Sequence, residues 1–303
     1  MTGPQAAYLS DGRLHLHHGP IDLIVSAEGP ERRAALNAAV ARFEGLLDAL
    51  VVDLEVLRQR VRPTGNSLGA VSFAPSSTHP PKSTVPAAGS APSCSSHRVT
   101  SPTALRMVRA ANQHSRCFVT PMAAVAGAVA DEVLSAMTAR RVTKASVNNG
   151  GDIAFHIAPG EDFRVLAPSG PIRVGFHDTA RGIATSGWRG RSHSLGIADA
   201  ATVLARTAAE ADVAATLVAN AVDLPGHPAI ARTPAQTLNP DSDLGHRPVT
   251  TDVGPLTHGE IARALNNGAA FARSCIAKGT ILAATLTLAG QTITITEKDL
   301  AHA

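Results

Sequence analysis

Aromatic side chains are scarce in this chain: Phe, Tyr and Trp together make up 3% of its 303 residues. That scarcity argues against a surface that stacks bases on aromatic rings, and it leaves the core to Ala, Val, Leu and Ile. Cysteine is also rare. Cys94, Cys117 and Cys275 are odd in number and far apart, with no CxxC or metal-finger spacing. A disulfide framework is not indicated, and a reducing, cytoplasmic setting is expected. No run of 18 or more apolar residues occurs, and the opening MTGPQAAYLSDGRLHLHHG has neither an apolar h-region nor a lipobox cysteine. Neither export nor a membrane span is expected. The net charge of +3 comes from scattered Arg residues. No basic run tracks a phosphate backbone, so no nucleic-acid partner is expected. The signatures HExxH, GxGxxG and the Walker loop are all missing.

What the chain does have is enough apolar material to fold. Hydrophobic residues make up 44% and the mean hydropathy is +0.06, values of a folded globular protein with ample room for a core. Residues Arg13 to Ser26 alternate as strands around the turn His18-Gly19-Pro20. From Pro30 to Val61 apolar residues recur at spacings of three and four, from Leu36 to Leu57, and predict one long helix. The composition then shifts to Ser, Pro, Gly, Thr and Ala between Arg62 and Pro102, an exposed excursion that cannot bury enough to order itself unaided. These shifts divide the chain into N-terminal strands and helix over 1–61, the excursion over 62–102 and a core over 103–303, expected to form one compact unit.

Within the core, Thr103 to Ser115 reads as a short helix. A second begins at Thr120-Pro121, with Thr as N-cap, and is rich in Ala and Gly on all sides, as in a helix packed tightly on other backbone. Strands are expected around Ser146–Val147, Ile153–Ile157, Phe163–Ala167, Ile172–Phe176 and Gly182–Ala184. Thr207-Ala208-Ala209-Glu210 and Thr257-His258-Gly259-Glu260 read as capping boxes opening helices to about Val222 and Ala277. The tail alternates at period two around Ala289-Gly290-Gln291 as a hairpin. Helices interleaved with antiparallel hairpins give an α+β fold, layered, with packed helices on antiparallel sheets.

Chemistry concentrates in a few places. VNNGGDIAF, Val147 to Phe155, places Asn148, Asn149, Gly150, Gly151 and Asp152 at one chain reversal. Asn-Gly alone satisfies a tight hairpin, whereas bare N–H groups in a row can also line a ligand concavity. The segment Ala184 to Ser194 gathers Thr185, Ser186, Gly187, two arginines, His193 and the only Trp. It suits phosphate contacts, with His193 as an acid, base or anion contact, and reads equally as a polar surface loop. Asp212 and Thr216 stand four apart on one helix face, hard oxygen ligands of the kind Mg²⁺ accepts, although an acid early in a helix can simply complement its dipole. His15, His17 and His18 read as an exposed strand edge, because no carboxylate at a telling spacing completes a metal set.

Taken in order, VNNGGDIAF, IATSG, RSHS, ADAATVLA and AEADVAATLVAN resemble the second half of the ApbE-like superfamily, over about Thr120 to Asn220. The nearest look-alikes are small relatives with an early His-Gly-Pro-Ile-Asp segment, here His18 to Asp22. The namesake moves FMN from FAD to a Thr or Ser of a target protein, using Mg²⁺. The resemblance implies an ApbE-like fold, a pocket between Asn148–Asp152 and Thr185–His193, and Mg²⁺ on Asp212 and Thr216. It implies a flavin, FAD above all, or another phosphate-bearing small molecule as ligand. The family's Lys in the Ala/Gly-rich helix has no counterpart here, and neither does its Asp-Pro-Arg-Thr-Gly loop after the Ser-His pair. A metal-independent enzyme using His193 and Asp152 on a small cyclic metabolite is a second expectation, and a non-catalytic binding or assembly protein a third. The small-residue surfaces also suit a homodimer.

Overall fold

The computed structural model describes residues 3–63, 99–168, 170–190 and 192–300. The N-terminal part runs β1 (Gln5–Tyr8), β2 (Leu14–His18), β3 (Ile21–Glu28), α1 (Arg32–Phe43), α2 (Leu46–Val52) and α3 (Leu54–Leu57). After residues 64–98 come α4 (Pro102–Asn112), α5 (Val125–Met137), β4 (Lys144–Asn149), β5 (Asp152–Ile157), β6 (Asp162–Ala167), β7 (Gly170–Gly175) and β8 (Gly182–Ser186). The chain closes with β9 (Ala200–Ala205), α6 (Ala208–Ala221), β10 (Ile230–Pro234), α7 (Ala235–Leu238), β11 (Pro248–Val253), α8 (His258–Ala277), β12 (Ala283–Leu288) and β13 (Gln291–Thr296).

Among the described residues, one sheet carries nine strands in the order β1-β2-β3-β4-β5-β8-β9-β12-β13. Every neighbouring pair in it is antiparallel. The strands of residues 5–28 therefore share a sheet with those of the core, joined through β3 and β4. Period-two patterning explains the layering. Leu14, Leu16, Leu23, Val25, Ala145 and Val147 are buried against α1, α4 and α5, and Ala201, Val203, Ala284 and Leu286 against α6 and α8. Phe155 turns to the opposite face, where the β6–β7 hairpin covers it and Phe163 stacks on it at 4.3 Å. The result is the layered α+β architecture that the alternation of elements implies.

Three expectations are revised. The long helix over 30–61 is three shorter ones, because Gly45 adopts a left-handed φ of 70° and ends the run of helical dihedrals. A second break falls at Asp53, which lies between α2 and α3, is 4% exposed and accepts hydrogen bonds from the Thr100 and Ser101 N–H groups and the Thr100 hydroxyl. It thereby pins the chain where it re-enters the described core. Thr120 does not cap its helix: its hydroxyl donates to Asp243, Pro121–Ala124 forms a 3-10 turn, and α5 starts at Val125. Thr257 makes the full capping box, but at Thr207 only half of it forms, because the Glu210 carboxylate accepts from Gln113 instead. Most of the excursion over 62–102 lies outside the described residues, and its last residue, Pro102, is the first of α4. The strand β9 and the β10–α7–β11 insertion had no expectation attached to them.

Three helices of one layer are tied by one carboxylate. Glu132 of α5 is 8% exposed and receives Arg42 of α1 at 2.8 Å and Arg106 of α4 at 2.7 Å. Burial alone would raise its pKa, but the hydrogen bonds from Arg106 and Arg42 outweigh it and hold the carboxyl below its ordinary value. Glu132→Gln leaves two half-buried guanidiniums without a counter-charge. The expected result is a loss of about 2 kcal/mol in urea unfolding, less than for a fully buried pair because both arginines reach solvent.

Candidate functional site

Strand register gathers the motifs at one end of the sheet. Asn149 pairs with Asp152 across the Gly150-Gly151 turn, and Leu23 beside Asn149 brings the Gly19-Pro20 turn to the same end. Ser186 closes β8 opposite Ala201, so the segment 187–199 lies there too, as does the Ala289-Gly290 turn that follows β12.

The glycine turn has the backbone its residues favour. Gly150 and Gly151 have φ values of 66° and 112°, as a two-residue hairpin of the primed class requires. The Gly151 N–H donates to the Asn148 side chain at 2.8 Å, and a Cβ added at Gly151 would meet nothing within 4 Å. Asn149 occupies a helix-facing position and is 6% exposed; its amide donates to the Ala126 carbonyl at 3.1 Å. The turn is therefore fastened to the first turn of α5 with open space beside Gly151.

Gly187 is a different kind of glycine. A Cβ there would lie 2.3 Å from the Asp199 carbonyl oxygen, so close packing of backbone on backbone occupies it. Thr185 N–H donates to Asp152 at 3.3 Å, and the Thr185 hydroxyl lies 2.9 Å from that of Thr202. Ser186 is half-buried beside it.

Helices α5 and α6 cross at their first turns, and each supplies the other's cap. Asp131 of α5 accepts from Ala208 and Ala209 N–H at 3.0 and 2.9 Å, and Asp212 of α6 accepts from Gly127 N–H at 3.0 Å. Carboxylates at helix N-termini are favourable, yet these two are also desolvated. Burial, then the neighbouring Asp152 charge, holds the Asp212 carboxyl well above the ordinary carboxylate range, against the opposing Gly127 and Ala126 N–H groups. Burial likewise raises Asp131 to about 6.

Along α6 the positions that reach the surface beyond Glu210 are Asp212, Thr216, Asn220 and Ala221. Asp212, Thr216 and Asn220 are spaced by four, so they form one polar stripe on an otherwise buried helix. Asn220 accepts from the Ser194 hydroxyl at 3.1 Å and from Leu195 N–H at 2.8 Å. That holds the 192–196 segment at the far end of the stripe. Two turns of helix, about 12 Å along the axis, separate Asn220 from Asp212. His193 is half-buried in this segment. The geometry thus brings Asp152, Thr185 and Asp212 together with the glycine turn, and places His193 with Asn220.

Sequence reasoning missed Gly127, Asp131 and Asn220. A lone acid in the Ala/Gly run before Glu132 demanded a partner as much as Asp212 did, and Asn220 simply continues the spacing of four. It also missed a carboxylate beside the histidines. Asp22, cross-strand from His17, lies 2.8 Å from His15 and 3.9 Å from His17. Even so, no group of three or more His, Cys, Asp or Glu among the described residues could hold a metal ion.

The raised acids set an acid response. Asp131 titrates at about 6 when folded against an ordinary 3.8, so the folded protein binds more protons in that window and stability rises as pH falls through it. His114 opposes this. Burial, then the Lys278 charge, lowers it from 6.5 to about 4, so its neutral form is favoured and stability falls as pH drops between those values. Asp131→Asn removes the first contribution and keeps the second. Between pH 7 and 4.5 the variant is expected to lose about 2 kcal/mol more than the parent, read from urea midpoints at each pH.

The resemblance of the sequence motifs to the ApbE-like superfamily is borne out by comparison with known proteins. The chain belongs to the family described as AbpE bacteria, whose model matches residues 6–77 and 85–294. Among curated relatives it is 41% identical over 121 residues to a UPF0280 protein of Methanothrix thermoacetophila, covering 38% of this chain and 51% of that protein. A UPF0280 protein of Archaeoglobus fulgidus is 36% identical over 130 residues, covering 42% and 54%. The chain thus spans about half the length of the curated relatives it matches. Among solved structures, the apo form of the flavinyl transferase ApbE of Pseudomonas stutzeri aligns over 100% of this chain and 98% of its own, with 15% identity and a TM-score of 0.41. No helix among the described residues is long and apolar enough to cross a membrane.

Proposed function

We propose that the chain is a Mg²⁺-dependent enzyme of the ApbE type, acting on a phosphate-bearing small molecule held at the Gly150-Gly151 turn. The observation that carries this is the desolvated Asp212 carboxyl beside Asp152 and one turn from Thr216. Perturbed acids of this kind cluster at functional sites. The donor set fits the ion: two carboxylates and a hydroxyl are hard oxygens, and Mg²⁺ takes one or two carboxylates while keeping waters and substrate phosphates. Asp212, Asp152 and Thr216 would hold it, and when bound it would supply charge neutralisation at a leaving phosphate.

The chain's own residues do the rest. The open space beside Gly151 leaves room for the ligand to approach, while Asn148 and Asn149 fasten the turn. Thr185 orients Asp152 through its N–H. His193, held by the Ser194–Asn220 contact, contacts an anionic group or moves a proton at the outer end of the stripe. A flavin nucleotide is the ligand the family suggests. Gly187 packs its Cα face on the Asp199 carbonyl, and its backbone borders the ligand with Thr185 and Ser186 in this reading.

The first test is a melting-temperature series with FAD, Mg²⁺ and both. A shift of several degrees that needs both components supports the reading. No shift with any of them removes the flavin. Turnover of cyclic metabolites without metal, lost in His193→Ala, would then favour metal-independent acid–base chemistry.

A further inference from the structure

Phe118 shares its ring with two guanidinium groups. Arg247 Cζ lies 3.4 Å from the ring centroid and Arg60 Cζ 5.7 Å from it. The backbone on both sides is fixed. Val61 N–H donates to the Val119 carbonyl at 3.0 Å, which seats Arg60 beside Phe118. Arg247 accepts from Ala235 N–H at 2.9 Å and donates its own N–H to Leu244 at 3.1 Å. The same loop is held to the core where the Thr120 hydroxyl donates to Asp243.

Two like charges on one ring repel each other, and the chain does little to offset this. Among the described residues, neither Arg60 nor Arg247 enters an ion pair or a side-chain hydrogen bond. Burial, then the Arg60 charge, lowers Arg247 from the ordinary arginine value, with no carboxylate acting against the shift. Residues 64–98, which follow this edge in the chain, contain no Asp or Glu. Arg62 and Arg116 add positive charge close by in sequence and are exposed.

The geometry points to an oxyanion subsite formed by Arg60, Phe118 and Arg247, taking a phosphate group of a small molecule. A ring-stacked guanidinium is planar and presents its N–H fork edge-on, the arrangement that binds phosphate oxygens in pairs. A phosphate held by these guanidiniums would offset the repulsion between them. This inference stands apart from the cation reading, since it uses none of Asp152, Asp212 or Thr216.

The test is calorimetric titration of the full chain with inorganic phosphate and with a nucleoside monophosphate, at constant ionic strength in chloride. Saturable binding is expected in the parent, weakened at least about tenfold in Arg60→Gln and in Arg247→Gln. In Phe118→Leu it should weaken by less. Glu31→Gln, at a surface ion pair with Arg141 outside both sites, should change it by less than about twofold. Equal affinity for both probes identifies the bare oxyanion as the ligand, and tighter nucleotide binding identifies a carrier; either supports the inference. Arg60 is exposed, so its variant keeps the fold as a control for Arg247. Absence of saturable binding in the parent, or unchanged binding in both arginine variants, overturns it.

Discussion

Asp212→Asn is expected to stabilise the ligand-free protein, read as a higher urea midpoint near pH 7.5. Asp212 is desolvated, and Asp152 pushes its pKa further up. Keeping the native carboxyl folded at this pH therefore requires either an unfavourable buried charge or a proton taken from a dilute pool. Asparagine removes both requirements. It also keeps an oxygen to accept from the Gly127 N–H, now made at 3.0 Å. The sign of the effect separates two roles. If Asp212 were only a cap on α5, losing its charge would weaken the helix dipole interaction and destabilise by about 0.5 kcal/mol or more. A residue whose removal increases stability is held in place for function, the trade-off expected of a binding acid. A fall in the urea midpoint for this variant would assign Asp212 to the helix end alone.

The second large effect concerns Gly127. A Cβ there would stand 2.2 Å from the Ala208 carbonyl oxygen and 2.7 Å from the Ala209 nitrogen, both backbone atoms. Neither can rotate away, so Gly127→Ala must push α5 off α6. Helix propensity favours alanine by about 1 kcal/mol, and overpacking alone costs about 1–3. The displacement also stretches the Asp131 contacts to Ala208 and Ala209 and the Asp212 contact to Gly127, two reciprocal caps each contributing about 1 kcal/mol. A net loss of about 2–4 kcal/mol is expected, enough to make the protein marginal. The measurement is again the urea midpoint, with Gly151→Ala as the contrast. At Gly151 the added Cβ meets nothing, and only the φ of 112° resists it. A Gly127→Ala midpoint equal to the parent's would mean that the helix crossing is not tight.

These two residues show how far the sequence could be read. The Ala/Gly richness of α5 announced close backbone packing. It did not say which glycine sits at the crossing, because that depends on the angle at which α6 arrives. The Asn148–Asp152 turn and the Asp212–Thr216 spacing were legible because both are local. Asn-Gly sets a hairpin, and a spacing of four sets a helix face. Asp131 and Asn220 were not, because their partners lie 77 and 26 residues away in the chain. The long helix over 30–61 failed for a similar reason. Its apolar period runs through Gly45 unbroken, and its breaks come from a backbone preference at Gly45 and a side-chain bond from Asp53 to Thr100. The β10–α7–β11 insertion lacks a long apolar alternation. It is held instead by isolated contacts such as Thr250 N–H to the Ser194 carbonyl at 2.8 Å.

The central claim is that Asp212, Asp152 and Thr216 form a cation site beside the glycine turn. Calorimetric titration of the ligand-free chain with Mg²⁺, at fixed pH and ionic strength, tests it most directly. One saturable site is expected in the parent. In Asp212→Asn its affinity should fall by more than the roughly 10–100-fold typical of an outer-shell partner. Thr216→Val should weaken it by less, while Glu132→Gln should leave it unchanged. A parent that binds no Mg²⁺, or an Asp212→Asn variant that binds it as tightly as the parent, would contradict the account.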